Sequence, residues 1–386
     1  MGPNLSLPCD CMSVSLALKS TSSCLDPRLL QQKLHESSSR PDSFTSSTNS
    51  EGIFNNQSFY DSNSSSPHKT SIKDFVVQKV LGKGASGKVL LVTNKLHSLR
   101  FYAMKIIQKS QVYANNLSIH IKLEKETLKN SNSPFIVKLN YSFQTPTKIY
   151  LVMEYISGGD LFQFLRKKKR FSLQTAKFYL SEVILALDYL HNDLKLIYRD
   201  LKPENILIAL NGHLKITDFG LAKNSQEKCV SIVGTPEYAA PEVILNQEQT
   251  TAVDIWSCGV LLFEMMAGFS PFSVGSKSSD EIQNKILKEN VKFPSFFTEE
   301  SKDLIGKMMR KNPNERIILE EIKKHRFFED IDWKRVQRLD YQAPYKADQE
   351  KFKSNEQKEL NESYDLNSLP DLEGLSFNTD DKRVDI

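Results

Sequence analysis

The stretch Tyr198-Arg199-Asp200-Leu201-Lys202-Pro203-Glu204-Asn205 decides how the rest of the sequence is interpreted. It places Asp200 and Asn205 five residues apart in one loop, with Lys202 between them. A carboxylate can accept a proton from a hydroxyl group, an asparagine oxygen can hold a cation, and a lysine can neutralise negative charge. The spacing therefore predicts a loop that combines a base, a metal ligand and a fixed positive charge.

A second carboxylate follows this loop. Asp218 begins Asp218-Phe219-Gly220, thirteen residues after Asn205. Mg²⁺ prefers hard oxygen ligands, and two protein side chains suffice when phosphate oxygens complete the coordination. We therefore expect Asp218 and Asn205 to be the metal ligands of a site that also binds a phosphorylated molecule.

A glycine-rich segment, Gly82-Lys83-Gly84-Ala85-Ser86-Gly87-Lys88-Val89, joins two predicted strands. Glycines let backbone amides approach phosphates closely. A dinucleotide-binding unit is one alternative, but there a helix would follow the glycines. A P-loop is another, but Val89 stands where Ser or Thr would hold Mg²⁺. The order of Asp200, Asn205 and Asp218 argues against both alternatives.

Lys105 ends the strand segment Tyr102-Ala103-Met104-Lys105. A strand lysine is usually solvated, but after a glycine-rich loop it can bind phosphates while it pairs with a helix carboxylate. Glu124, 19 residues later in a helical segment, is the preferred partner. Glu126 lies on another face of the same predicted helix and is the second choice.

Composition indicates a globular chain without strong charge. The 386 residues are 39% hydrophobic and 25% charged, with a net charge of +4, which does not favour nucleic-acid binding. No run of 18 apolar residues suggests a membrane span, and the first residues lack a secretory pattern. The five cysteines have no metal-ligand spacing and suggest reduced thiols in a cytosolic protein.

The pattern along the chain predicts three regions. Residues 1–70 are rich in Ser and Asn with little apolar periodicity, so we expect them to be disordered. Strand-like and helical segments then follow, and beyond about residue 331 the chain is polar again. Strands are predicted at Phe75–Val80, Lys88–Thr93, Arg100–Ile107, Ile136–Phe143 and Ile149–Tyr155. Helices are predicted at Leu117–Asn130, Ser172–His191, Ala252–Met266 and Ser301–Met309, with Ser172 as an N-cap.

These motifs, in this order, resemble a complete protein kinase catalytic domain over residues 74–328. The resemblance implies an α+β, bilobal fold: a small antiparallel β lobe with one main helix (74–153) and a larger, mainly helical lobe (157–328). Tyr198, the segment Gly234-Thr235-Pro236-Glu237-Tyr238 and Phe327-Phe328 are similar to the AGC group. Within that group the sequence looks closest to the Akt, SGK, protein kinase C and ribosomal-protein kinase branches. Residues 329–386 resemble the AGC C-terminal extension.

The resemblance implies a Ser/Thr protein kinase that uses ATP and Mg²⁺. The implied catalytic residues are Asp200, Lys202, Lys105 and Glu124, and the metal ligands are Asn205 and Asp218. The implied ATP contacts are Leu81, Gly82, Gly84, Gly87, Val89, Ala103, Lys105, Met153, Glu154, Ile156, Asp160 and Leu207. A kinase-fold scaffold without catalysis is the alternative. It requires a defect at a catalytic position, and none is present.

Substrate and control residues are also implied. Asp160, Glu204 and Glu264 match positions that read arginines two or three residues before the acceptor. Ser231 matches the activation-loop phosphosite, which would pair with Arg199, Lys223 and His120.

Further implied features concern the termini and the partners. Leu372–Phe377 resembles a hydrophobic motif, with Leu in place of both Phe anchors and Ser376 as its phosphosite. That motif would recruit an upstream phosphoinositide-dependent-type kinase. We expect a monomeric cytoplasmic or nuclear protein without intrinsic membrane association. Gly2 formally fits a myristoylation pattern, which the adjacent Pro3 disfavours.

Two further sequence features complete these expectations. Glu242, in Ala240-Pro241-Glu242, is predicted to form a buried structural pair with Arg316. The five consecutive basic residues 166–170 are interpreted as a solvated loop, with contact to an anionic lipid or a phosphoprotein as the alternative.

Overall fold

The computed structural model describes residues 57–58, 70–84, 87–114 and 117–345. Most of the segment predicted to be disordered lies outside these ranges. So do Ser376, the hydrophobic-motif resemblance at Leu372–Phe377, and Gly2. Within residues 1–70 the structure describes a two-residue strand, Gln57–Ser58, which pairs with Ser142 and Tyr141.

The first lobe is one antiparallel sheet of six strands in the order β1-β5-β6-β4-β3-β2. The strands are β1 Gln57–Ser58, β2 Phe75–Gly84, β3 Gly87–Asn94, β4 His97–Gln108, β5 Leu139–Gln144 and β6 Lys148–Glu154. The predicted strand at Ile136–Phe143 begins later than expected. Ile136 instead makes a single parallel bridge with Ile216 of the second lobe. Its backbone therefore connects the first lobe to the second and is not part of the six-stranded sheet.

Aromatic side chains form the core of this sheet. Phe75 stacks on Phe143 with ring centroids 5.8 Å apart and meets Tyr102 and Tyr141 edge-on at 6.4 and 5.6 Å. All four side chains are buried. Offset and edge-to-face pairs add to the free energy of burial, so the cluster stabilises the packing of β2, β4 and β5.

Two helices accompany the sheet: α1 Lys109–Ala114 and α2 Ser118–Asn130. The sequence predicted only the second. Helix α1 has six residues, of which only Val112 is buried, so it shows no apolar periodicity that could reveal it. Helix α2 carries the buried Glu124 toward the sheet.

The second lobe is mainly helical. Its helices are α3 Leu161–Lys168, α4 Leu173–Asp188, α5 Pro241–Ile244, α6 Ala252–Ala267, α7 Ser279–Lys288, α8 Glu299–Met308, α9 Leu319–Lys323 and α10 Trp333–Gln337. Its short strands are β7 Leu196–Ile197, β8 Ile206–Ile208, β9 Leu214–Ile216 and β10 Lys223–Asn224. Ser172 caps α4 by accepting a hydrogen bond from the Thr175 N–H, as predicted. The two-lobed α+β fold is confirmed.

Glu242 and Arg316 form the predicted buried pair. The guanidinium donates to both carboxylate oxygens at 2.5 Å, and both residues are buried. Removing either partner would leave a buried charge alone, at a cost of about 3–5 kcal/mol. The pair therefore ties α5 to the segment before α9. No helix among the described residues has the length and apolarity to cross a membrane.

Candidate active site

Three charged side chains meet where the lobes face each other. The Lys105 ammonium on β4 donates to Glu124 on α2 at 2.7 Å and to Asp218 at 3.0 Å. Glu126 instead accepts from Asn130 on the helix surface. The structure therefore brings Lys105 together with the preferred carboxylate and with the predicted metal ligand.

Burial and charge act in opposite directions on this cluster. Burial alone would lower the pKa of Lys105, but Glu124 and Asp218 outweigh it and raise that pKa. Burial would raise the pKa of Asp218, but the Lys105 ammonium and the Gly220 N–H lower it. Lys105 is therefore a fixed positive charge and Asp218 a fixed negative charge near neutral pH.

The loop that follows β7 holds the second group of predicted residues. Asp200 accepts from Lys202 at 2.9 Å and from the Asn205 side-chain amide at 2.7 Å. Burial raises the pKa of the Asp200 carboxyl, and the two donors only partly oppose that rise. Lys202 also donates to the Thr235 hydroxyl at 3.0 Å, a partner that the sequence did not reveal. A carboxylate of raised pKa and a nearby fixed cation suit a base that acts on a hydroxyl group.

The two predicted metal ligands lie on hydrogen-bonded backbone segments. The Thr217 N–H, one residue before Asp218, donates to the Asn205 carbonyl at 3.0 Å. The Asn205 amide nitrogen is used by Asp200, so its side-chain oxygen remains for a cation. Among the described residues, no three His, Cys, Asp or Glu side chains form a metal site alone. The donor set fits Mg²⁺ if phosphate oxygens of ATP complete it.

Asp254 of α6 supports the loop that follows β7 and was missed by the sequence analysis. Its fully buried carboxylate accepts from the backbone N–H groups of Tyr198 and Arg199, both at 2.8 Å, and contacts His191 at 2.7 Å. Arg199 has a positive φ of 67°, a conformation that costs a non-glycine residue about 1–3 kcal/mol. The hydrogen bonds that the two backbone N–H groups donate to Asp254 therefore hold a strained loop. Asp254 is one of only two acids in the apolar helix α6, and this was the available signal.

Residues predicted to contact ATP come from both lobes. From the first lobe come Leu81, Gly82, Gly84, Gly87 and Val89 on β2 and β3, Ala103 on β4, and Met153 and Glu154 on β6. Ile156 follows β6, and Asp160 and Leu207 face each other in an isolated bridge of the second lobe. A Cβ atom at Gly87 would lie 2.2 Å from the Ile106 carbonyl oxygen, so the turn requires glycine there.

Ser231 lies beside the Arg199 guanidinium. Its hydroxyl accepts from that guanidinium at 2.7 Å, and the Cys229 sulfur and the Gln249 side-chain oxygen lie 3.0 and 3.3 Å from the same nitrogen. His120 Nδ1 is buried without a hydrogen-bond partner among the described residues. Burial, with the charges of Arg199 and Lys223, lowers the pKa of His120. The Ser231 hydroxyl thus lies in a positive electrostatic environment.

A cavity of about 300 Å³ lies beside Thr235, the residue whose hydroxyl accepts from Lys202. We call it the carboxylate cavity, because its lining includes Glu204, Glu264 and Glu237, the last of which the sequence analysis missed. Burial and the neighbouring acids raise the pKa of Glu264, whose carboxylate accepts from the Tyr238 hydroxyl. Asp160 does not line the cavity, since its carboxylate caps α3 by accepting from the Gln163 N–H at 2.7 Å.

Comparisons with known proteins agree with this geometry. A family model described as protein kinase domain matches residues 75–328. Ribosomal protein S6 kinase alpha-6 of Danio rerio is 43% identical over 288 residues, which cover 72% of this chain and 38% of that protein. Serine/threonine-protein kinase gad8 of Schizosaccharomyces pombe is 41% identical over 296 residues, covering 75% of this chain and 51% of that protein.

A third relative is the cAMP-dependent protein kinase catalytic subunit of Dictyostelium discoideum. It is 42% identical over 279 residues, which cover 71% of this chain and 42% of that protein. The chain thus spans between 38% and 51% of the length of these three relatives. The predicted resemblance is confirmed: the chain belongs to the protein kinase domain family and, within it, to the AGC group.

Proposed function

We propose that this protein transfers the γ-phosphoryl group of ATP to a Ser or Thr hydroxyl of a protein substrate. One observation carries the proposal. Lys105 contacts Asp218 across 113 residues of chain while Asp200, Lys202 and Asn205 form a second hydrogen-bonded group. Phosphoryl transfer depends on positioning and charge stabilisation, and these two groups supply both.

Each residue has a separate part in this reaction. Asp200 accepts the proton of the substrate hydroxyl as the new oxygen–phosphorus bond forms and the bond to the ADP oxygen breaks. Lys202 lowers the energy of the charge on the transferring group, and Lys105 orients the phosphates. Asn205 and Asp218 would hold Mg²⁺, which supplies further charge neutralisation when bound.

The proposal is tested with Asp200→Asn, which removes the base and retains its size. We expect kcat for phosphate transfer from radiolabelled ATP to fall about 10²–10⁴-fold. Asp188→Asn is the matched control, because Asp188 pairs with Lys323 at 2.7 Å outside the site. An Asp200→Asn enzyme with wild-type kcat would contradict the proposal.

We further infer that the substrates carry arginines two or three residues before the acceptor. The carboxylate cavity supports this inference, because burial raises the pKa of Glu264 and repulsion from Glu204 and Glu237 adds to that rise. A guanidinium would relieve that repulsion through charge-assisted, bidentate hydrogen bonds. The cavity also has room for such a group, at about 300 Å³.

Glu264→Gln tests this inference. We expect a rise in KM for an Arg-x-x-Ser peptide on the order of tenfold, because a charge-assisted hydrogen bond is lost. For a peptide with Gln in place of Arg, the Glu264→Gln variant and the wild-type protein should have the same KM. The wild-type KM for the arginine peptide should rise as pH falls, since a raised pKa makes Glu264 lose its charge at a higher pH than an ordinary glutamate. Equal KM values for the two peptides would contradict the inference.

Ser231 is the proposed activating phosphosite. A phosphate there would meet the Arg199 guanidinium, which already contacts the hydroxyl at 2.7 Å, and the charges of Lys223 and His120. Because His120 lies four residues before Glu124 on α2, the phosphate would also bias the helix that holds the Lys105 partner. Recruitment of an upstream kinase through Ser376 and the monomeric state stay predictions.

A further inference from the structure

The five basic residues 166–170, here called the basic run, share a wall with the carboxylate cavity. Arg166 begins the run and lines the cavity. Gly268 lines it too, and a Cβ atom built there would lie 2.0 Å from the Lys169 carbonyl oxygen and 3.7 Å from Arg170 Cβ. Gly268 has a φ of 85°, which only glycine adopts easily. The chain therefore brings the run into direct contact with the cavity wall.

The charges of the basic run point to solvent. All five side chains are exposed, and none of them forms an ion pair within the described part of the chain. The Arg166 guanidinium lies 4.9 Å from the centre of the Phe162 ring, and that of Arg170 lies 4.4 Å from the centre of Phe296. A guanidinium stacked on a ring keeps its in-plane donors available. The charge of Arg166 acts on Glu264 and opposes the rise that burial causes in the pKa of that carboxyl, whereas residues 167–170 present cations without an ion-pair partner among the described residues.

The carboxylate cavity lies between the basic run and the loop that carries Asp200 and Lys202. Lys202 contacts both Asp200, at 2.9 Å, and Thr235, at 3.0 Å. Thr235 lines the cavity on that side, whereas Arg166 and Gly268 line it beside the basic run. An extended peptide whose acceptor lies at Asp200 and whose arginines enter the cavity would next reach the basic run.

We propose that the basic run is a second substrate-reading site, which binds an acidic segment on the N-terminal side of the substrate arginines. This inference rests on the proposed function, since it takes the arginines as the occupants of the carboxylate cavity. The surface charge is negative in the cavity and positive on the basic run. It therefore favours a substrate in which acidic residues precede the arginines. The carboxylates of the cavity would repel an acidic segment, so that segment has to lie outside the positions of the arginines in the peptide.

The experiment compares phosphorylation kinetics of peptides with the full chain. The parent peptide carries Arg-Arg-x-Ser, and three derivatives carry four added residues: glutamates before the arginines, glutamates after the acceptor, or glycine and serine before the arginines. We expect the first derivative to lower KM about tenfold relative to the parent at low salt, because several exposed ion pairs of modest strength add up. The gain should shrink at about 0.5 M salt, where the Debye length is only a few ångströms.

Two charge-reversal variants assign the effect to the basic run. Lys167→Glu/Lys168→Glu should abolish the KM ratio between the parent and the peptide with glutamates before the arginines. Lys324→Glu/Lys334→Glu makes the same charge change at exposed lysines outside the cavity lining and should keep that ratio. Each ratio is taken within one protein, so a general loss of activity does not affect it.

Three results would overturn the proposal: no gain from the preceding glutamates, an equal gain from glutamates after the acceptor, or a gain that survives in Lys167→Glu/Lys168→Glu.

Anionic phosphatidylserine vesicles test the competing occupant. Vesicle binding that the Lys167→Glu/Lys168→Glu variant loses, with unchanged peptide ratios, would reassign the run to a membrane surface. A peptide with Gln in place of both arginines separates the arginine hypothesis from the hypothesis about the basic run. If its KM equals that of the parent peptide, the arginine hypothesis is wrong, whatever effect the added glutamates have.

Discussion

The residues proposed for catalysis and the residues around Ser231 differ in how their charges are balanced. Lys105 has two carboxylate partners, and Asp200 has a lysine and an amide. By contrast, the hydrogen bonds of the Arg199 guanidinium go to neutral groups: Leu221 O, Cys229 Sγ, Ser231 Oγ and Gln249 Oε1. The difference teaches that the groups proposed for chemistry already hold each other in place, whereas the Arg199 guanidinium still has only neutral hydrogen-bond partners and suits the phosphate proposed for Ser231.

Lys105→Met breaks the balanced side of the comparison and has the largest expected effect. We expect kcat/KM to fall about 10²–10³-fold or more, because a preorganised positive charge is lost. The variant also leaves Glu124 buried without its cation, so the melting temperature should fall. Kinetics and thermal unfolding measure the two effects separately.

Lys105→Met/Glu124→Leu is the companion variant. It should regain stability without regaining activity, since a buried ion pair can be replaced by apolar side chains at little cost. Lys323→Met, which breaks the exposed pair with Asp188, is the control. A Lys105→Met enzyme with wild-type kcat/KM would show that this ion pair is only structural.

Ser231→Ala tests the unbalanced side. Protein phosphorylated at Ser231 should exceed the alanine variant in kcat/KM on the order of 10- to 100-fold, the usual range of allosteric coupling. Phosphatase treatment should bring the wild-type enzyme down to the level of Ser231→Ala. The control is Ser225→Ala in the same segment, whose hydroxyl donates to the Lys195 carbonyl. Full activity of the dephosphorylated wild-type enzyme would refute the regulatory role.

The smallest effect is a shift in the pKa of His120, measured by NMR titration of its ring proton. Without phosphate, burial and the charges of Arg199 and Lys223 hold this pKa below 6.5. A phosphate on Ser231 should raise it, because an anion favours the protonated ring. Ser231→Ala should show no such shift after treatment with the upstream kinase, and an unchanged pKa in the phosphorylated protein would place His120 outside the phosphate site.

The sign of the stability effect follows from the same pKa. In the unphosphorylated protein the neutral ring is favoured, so His120 costs the folded state nothing well above pH 6.5. As pH falls from 6.5 through the lowered folded pKa, the free energy of unfolding decreases. Phosphorylation should weaken or reverse this loss, which unfolding experiments at pH 5 to 7 would detect.

Sequence reasoning was effective where chemistry and local pattern coincide. Asp200, Lys202 and Asn205 share one loop, and the spacing from Lys105 to Glu124 matches a strand followed by a helix. Helix α4 was predicted because its apolar residues recur with helical periodicity over 16 residues, and α6 because it is an equally long, mostly apolar segment. Helix α1 was missed, since six residues carry too little periodic signal.

Other parts of the site could not be predicted because they depend on single residues far apart in the chain. Asp254 supports Tyr198 across 56 residues, and Gln249 meets Arg199 across 50. Nothing local distinguishes Gln249 from an ordinary surface glutamine. Glu237 became a candidate for substrate binding only when the cavity placed it near Glu204 and Glu264.

The sequence by itself determined the strands β2 to β6, the helices α2, α4, α6 and α8, the family, and the types of side chain available for catalysis, because periodicity and motif spacing are local properties. Only the tertiary structure decided which helix carboxylate meets Lys105, which groups surround Ser231, and that the basic run borders the carboxylate cavity. Those contacts depend on packing between distant segments, where the free energy of one pairing is set by all its neighbours.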